Sequence, residues 1–213
     1  MNVLPRENHR EDCPVLHRCP WGDSEDMQMR QYHDLEWGTP LHDSRALFEL
    51  LSLELMQSGL SWRTILHKRQ GFIRAFHNFD PHVVMTLDAE GDGLLSDPSI
   101  IRNRRKIQAV INNAEAIVAL ENRGISFNEY VWQFVNHQSI TNQVTDYTQS
   151  PCQSPISITM SKSMKRDGFS FVGPVVVYSF MEAAGLVNDH ESSCFRWAQL
   201  AQGSQSASQG LQA

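Results

Sequence analysis

Residues 168–185 read GFSFVGPVVVYSFMEAAG. The run VVVYSF is β-branched and aromatic enough to form a strand, and it is the only such run in the chain. Pro174 stands just before it and Gly185 closes the segment. Proline suits the first position of a helix, where its missing N–H is not needed, and glycine past the end is a common helix stop. The segment therefore reads as a buried helix, and the chain as all-α.

Working outward, a helix fits SITMSKSMKRD (157–167), stopped by Gly168. Helix, glycine-bearing turn and helix then follow one another. Such a hairpin can aim backbone N–H groups and a helix N-terminus at a DNA phosphate, or it can be an ordinary packing corner. Further upstream, Asp43 can cap a helix reaching about Gln57, and Ser61 can cap WRTILHKRQ. Asp80-Pro81 is a cap followed by proline at the first helical position. Asn103 can open a long helix with Ile107, Val110, Ile111, Ala114, Ile117 and Val118 at the 3.6-residue period, closed by Gly124. Ser126 and Glu129 form a capping box for NEYVWQFV.

The 213 residues suffice for one domain or two small lobes, and 41% hydrophobic with 20% charged residues is ordinary for a soluble protein. The N-terminus lacks the apolar core of a signal peptide, and the longest nearly uncharged apolar run, 169–181, is shorter than the roughly 20 residues that span a bilayer. A cytoplasmic location without membrane contact is expected, and with it thiols rather than disulfides at Cys13, Cys19, Cys152 and Cys194. The net charge of −6 argues against nucleic acid, but its distribution does not: residues 61–110 hold 8 Lys/Arg against 5 Asp/Glu. The basic side chains gather in HKRQGFIR, IIRNRRKIQ and SKSMKRDG.

Three groups of residues can carry chemistry. Glu54 continues the apolar stripe Leu47, Leu50, Leu51, so its carboxylate points inward, to a pocket, to a rim or to an arginine. Trp21, Tyr32, Trp37 and Trp62 fall in loops or at helix starts. There they either plug a lobe interface or stack on a flat cationic heterocycle. His190 and Cys194 lie four apart, and with Cys19 and His33 they make a closed tetrahedral metal set; Cys13, His17 and Cys19 are a competing trio.

Long motifs in a fixed order join these groups: YHDLEWG with Pro40 just after, FELLSLELMQSGLSW, IIRNRRKIQAVINNA, YVWQFVNHQ, and GFSFVGPVVVYSFMEAAGLVNDH followed by Cys194. Over about residues 19–194 the chain resembles the DNA-3-methyladenine glycosylase I family, of the helix-hairpin-helix superfamily of DNA repair glycosylases. The resemblance implies one two-lobed helical domain over 17–198, between an extension (1–16) and a Gln/Ser-rich tail (199–213), both expected to be disordered. It implies one structural zinc on Cys19, His33, His190 and Cys194, and a pocket acid at Glu54. Base-stacking residues fall at Trp21, Tyr32, Trp37 and Trp62. It implies a monomer that hydrolyses the N-glycosidic bond of 3-methyladenine in alkylated double-stranded DNA. Lys165, Arg166, Phe169, Val172 and Gly173, and the 102–106 cluster, would hold that DNA. Asp189, beside a zinc ligand, receives no catalytic role. Leu55, followed by Met56, stands directly after the glutamate where the family has a small residue, and Met29 where an aromatic is expected. One extra residue separates Cys19 from His33. The competing readings are a zinc-stapled lesion-binding protein without glycosylase activity, and a metal-dependent hydrolase, which needs an open coordination position.

Overall fold

In the computed structural model, which describes residues 16–209, the deciding segment is a helix, α8 (Pro174–Ala183). Gly173 is its N-cap and Pro174 its first residue, and Gly185 beyond it has φ +72°. A Cβ on Gly185 would stand 2.4 Å from the backbone of Thr39 and Pro40, so the helix exit is pressed against another chain segment that only glycine admits.

The order is α1 (Met27–Leu35), α2 (Ser44–Gln57), α3 (Trp62–Ala75), α4 (Pro81–Val84), α5 (Arg104–Glu121), α6 (Phe127–Trp132), α7 (Pro155–Arg166), α8 and α9 (Phe195–Gln209). The expected N-caps are real. Asp43, Ser61, Asp80, Asn103 and Ser126 each accept from an N–H in the first turn of their helix. At α6 only the Ser126 half of the expected box forms, whereas a reciprocal Ser154–Ser157 box starts α7 earlier than the sequence indicated.

Helix α2 lies at the centre, packed by α3, α5, α6 and α8. Every residue from Leu50 to Met56 is buried, so the helix has no solvent face there, and Glu54 sits in a segment buried all round rather than along one stripe. Leu55 and Met56 are fully buried in the core and leave the neighbouring pocket free. The stripe expected on α5, from Ile107 to Val118, is buried as read.

One small feature departs from all-α. Ile140–Thr141 and Val187–Asn188 form a two-residue parallel ladder, which places Asn142 against Asp189. Two helices were not foreseen. Helix α1 takes in Tyr32 and His33, which therefore lie inside a helix rather than in a loop. Helix α9 carries helical backbone from Phe195 through Gln209, into the segment whose composition led us to expect none. The expectation for residues 1–15, and Cys13 with it, lies outside the described residues.

Candidate active site

Cys19, His33, His190 and Cys194 come together, all four buried, with their ligand atoms within 4.8 Å of one another. Cys19 Sγ is 3.5 Å from His190 Nδ1, and Cys194 Sγ is 3.6 Å from both His33 Nε2 and His190 Nδ1. Sulfur and nitrogen bound to one tetrahedral ion at the usual Cys and His bond lengths stand about 3.5–3.6 Å apart, so the donor set fits a metal ion. Second contacts orient the rings. His33 Nδ1 lies 2.8 Å from Asp34 Oδ1, Asp34 accepts from both Nε and Nη2 of Arg18, and His190 Nε2 is 3.0 Å from the Trp37 carbonyl oxygen. Without a cation, the hydrogen bond between the two sulfurs, together with burial, pushes the Cys19 thiol up. The same bond, with the imidazoles, holds Cys194 down. A divalent ion turns both into thiolates. His17 is exposed and stands apart from the cluster.

The aromatic pocket lies directly against this cluster. The Trp21 ring meets His33 edge-on at 5.0 Å and Trp37 at 4.9 Å, and Trp37 meets His190 at 4.5 Å. Tyr32, next to His33 on α1, tilts against Trp62 at 5.1 Å. The four expected aromatic residues thus wall one pocket of about 210 Å3. Glu54 reaches it from α2. Its side of α8 contributes Ser179 and Glu182, one helical turn apart, and the turn at Tyr147 closes it. Met29, noted as the unusual residue, is also in the wall.

Glu54 is 5% exposed, and no hydrogen bond or ion pair among the described residues reaches its carboxyl. Burial alone pushes it from the ordinary 4.5 up to about 8. The indole N–H groups of Trp21 and Trp62 and the Tyr32 hydroxyl are buried and lack partners too. Among the described residues no arginine, lysine or histidine lines the pocket. A flat ring with hydrogen-bond donors at its edge, acceptors elsewhere and a positive charge would answer each of these groups.

Sequence reasoning missed Glu182, Tyr147, Gln57 and Ser179. The signal for Glu182 was available: it is a charge within the apolar run VVVYSFMEAA, the same anomaly that singled out Glu54. Tyr147 comes from a loop without periodicity, and nothing local marks it.

The hairpin between α7 and α8 differs from the expectation in its side chains. Lys165 and Arg166 are exposed, but Phe169 and Val172 are buried, Phe169 stacking on Phe127 and Tyr130. Those two can offer only backbone to a partner. Ser161 Oγ donates to the Val172 carbonyl, and Ser170 N–H donates to Asn113, so the hairpin is tied down from below. Among the described residues nothing accepts from the N–H groups of Phe171, Val172 or Gly173. Phe171 holds φ +59°, an uncommon conformation for a bulky residue. A Cβ on Gly173 would meet nothing within 4 Å, so the fold itself does not require glycine there.

In the basic cluster, Lys106 is buried, and its Nζ donates to the carbonyls of Met56 (2.8 Å) and Ser58 (2.6 Å). It closes the C-terminus of α2 and is not free for DNA. Arg104 pairs with Glu90, which leaves Arg102 and Arg105 as the exposed charges without an ion pair among the described residues.

The fold is thus helical, with a pocket of four aromatic rings and two carboxyls set between α1–α3 and α8. The family model described as "Methyladenine glycosylase" matches residues 21–197, and the chain belongs to that family. The DNA-3-methyladenine glycosylase 1 of Escherichia coli (strain K12) is 46% identical over 180 residues, covering 84% of this chain and 96% of the relative. A crystal structure of 3-methyladenine DNA glycosylase I superposes with a TM-score of 0.81 at 46% identity, over 84% of this chain and 98% of the other. A tyrosine-to-phenylalanine variant of 3-methyladenine DNA glycosylase I, in complex with 3-methyladenine, has a TM-score of 0.79 at 37% identity. That match covers 84% of this chain and 96% of the other.

Proposed function

We propose that the protein is a base-excision repair glycosylase. It hydrolyses the N-glycosidic bond of 3-methyladenine in alkylated double-stranded DNA, releasing the free base and leaving an abasic site. The observation that carries this reading is Glu54, an enclosed carboxyl without a partner, facing unpartnered N–H and O–H donors in an aromatic slot. The names of the relatives at 42–46% identity support it.

Methylation at ring position 3 makes the adenine cationic. The bonding pair between C1′ and the base then passes into a ring that it neutralises, so a strong acid is not needed. The work left to the protein is to extract the base, which is easier for a damaged pair, and to hold it apart from the sugar. Trp21, Tyr32, Trp37 and Trp62 receive the ring faces and edges. Glu54 accepts from the exocyclic amino group, and the positive charge of the base draws this carboxyl toward its ionised form. Water adds to C1′ and loses its proton, aided by the DNA phosphates.

Cys19, His33, His190 and Cys194 would hold one zinc ion as a closed, four-ligand staple, supplying folding energy rather than a reactive position. The ligands alternate with the pocket wall in sequence: Cys19 before Trp21, Tyr32 before His33. The staple therefore sets the spacing of the rings. DNA would lie on Lys165, Arg166, Arg102, Arg105 and the free N–H groups of the hairpin. Among the described residues no helix is long and apolar enough to cross a membrane. A monomer working in the cytoplasm, with residues 17–198 as its functional unit, completes the reading. The test is release of free 3-methyladenine from methylated DNA. Binding without release would favour a lesion-binding protein instead.

A further inference from the structure

We propose that Glu182 is a second base-contacting residue: with Glu54 it takes up the two N–H bonds of the exocyclic amino group, and so selects bases that carry an amino group there. The inference rests on the glycosylase reading and adds to it a determinant of which base is accepted.

Two helices packed on each other each send a carboxyl into the same pocket. Glu54 and Gln57 are three residues apart on α2, and Ser179 and Glu182 three apart on α8, so each pair shares a helix face. Glu182 is buried, 6% exposed, and among the described residues no cation lines the pocket to pair with it. Behind it stands Asp189, whose two oxygens accept from Asn142 Nδ2 (2.6 Å) and the Tyr178 hydroxyl (2.7 Å). Those two donors hold the Asp189 carboxyl in place behind Glu182. Burial, then the charges of Asp189 and Glu54, and a hydrogen bond to Asp189 push Glu182 well above the usual carboxylate range. A carboxyl crowded in this way keeps its proton and donates it toward Asp189, which leaves its other oxygen as an acceptor facing the pocket.

The remaining polar atoms divide the labour. The indole N–H groups of Trp21 and Trp62 can only donate, so they suit ring nitrogens and not an amino group. An exocyclic amino group stripped of water needs two acceptors, because an unsatisfied buried N–H is penalised. Glu54 alone supplies one side, and Glu182 supplies the other. A base with a carbonyl at that position would instead set an acceptor against an acceptor.

The test is a binding cycle with free bases, read by quenching of the pocket tryptophans. 3-Methyladenine is compared with 3-methylhypoxanthine, in which a carbonyl replaces the amino group, on the wild type and on Glu182→Gln, Glu182→Met and Glu182→Ala. The wild type should prefer 3-methyladenine. In the Met and Ala variants that preference should drop by about tenfold or more, while Gln, which keeps an acceptor oxygen, should stay within about threefold of wild type. A preference unchanged in both truncations, or lost as fully in Glu182→Gln, overturns the proposal and leaves the glycosylase reading standing. A wild type that binds neither base sinks both. Should the truncations fail to fold, the wild type with 15N-amino-labelled 3-methyladenine decides. Two separate downfield amino protons support the inference, and one shifted proton beside one unshifted overturns it.

Discussion

Replacing Glu54 by glutamine should make stability less dependent on pH. In the unfolded chain this carboxyl ionises near its ordinary value of 4.5, while in the fold burial holds it at about 8. Below both values the group is neutral in both states, and the folded form carries no penalty. Between them the unfolded chain releases its proton and the folded protein does not, so stability falls as pH rises, and it levels off above the folded value. At about 1.4 kcal/mol per pH unit, the interval from 4.5 to about 8 sets a ceiling of about 5 kcal/mol. Water entering the open side of the pocket screens part of this, so about 2–4 kcal/mol is expected between pH 5 and pH 8. The assay is denaturant unfolding of wild type and Glu54→Gln at both values. Glutamine has the same shape and does not ionise, and Glu182 and the metal cluster remain in both proteins. The difference between them therefore reads Glu54 together with the part of its charge that Glu182 feels. The variant should gain on the wild type by about 2–4 kcal/mol as pH rises from 5 to 8. Parallel pH profiles would mean that Glu54 is paired or solvated, and the pocket chemistry argued from it would fall.

Other perturbations separate the parts of the structure. Cys194→Ser removes one of four ligands, so metal content and unfolding temperature should fall together, and quenching of pocket tryptophans by 3-methyladenine should weaken; full stability without metal contradicts a staple. Gly173→Leu should fold normally, since among the described residues nothing beyond its chain neighbours lies within 4 Å of an added Cβ, yet weaken binding to abasic-site DNA about tenfold or more by blocking close approach to the backbone. The salt dependence of that binding should be shallow, equivalent to about two to four phosphates at roughly −0.9 each, and a steep slope moves the DNA surface elsewhere. Lys106→Met should destabilise by about 2–4 kcal/mol by leaving the Met56 and Ser58 carbonyls without their donor; equal stability in urea would mean the turn after α2 is held by other contacts.

What the sequence discloses here is mostly local. An N-cap is a bond between a side chain and an N–H two or three residues on, so Asp43, Ser61, Asn103 and Ser126 could be read without knowing what surrounds them. Helix α1 went unread because MQMRQYHDL has no apolar stripe. Its signal was Asp26, whose carboxylate accepts from Gln28 and Met29; against desolvation, His67, those two N–H groups and Arg63 hold it below its ordinary value. Lys106 looked like part of a basic face because charge runs usually are; only the packing of α5 on the end of α2 reveals two carbonyls waiting for it. Phe169 and Val172 were read as contact residues by their position in the hairpin, but their side chains are what fastens the hairpin to the core. The pocket was half legible. Its aromatic wall and Glu54 stand out as anomalies in sequence, whereas Tyr147 is brought in by the fold from far along the chain.

The central claim is that the enclosed carboxyl serves base release, and single-turnover release of 3-methyladenine from methylated DNA tests it most directly. Wild type should liberate the free base and leave an abasic site, and folded Glu54→Gln, with the same metal content, should do so about 10–100-fold more slowly, the loss of one hydrogen bond to a charged acceptor. Release at the native rate by the glutamine variant, or no release by the wild type, would contradict the account.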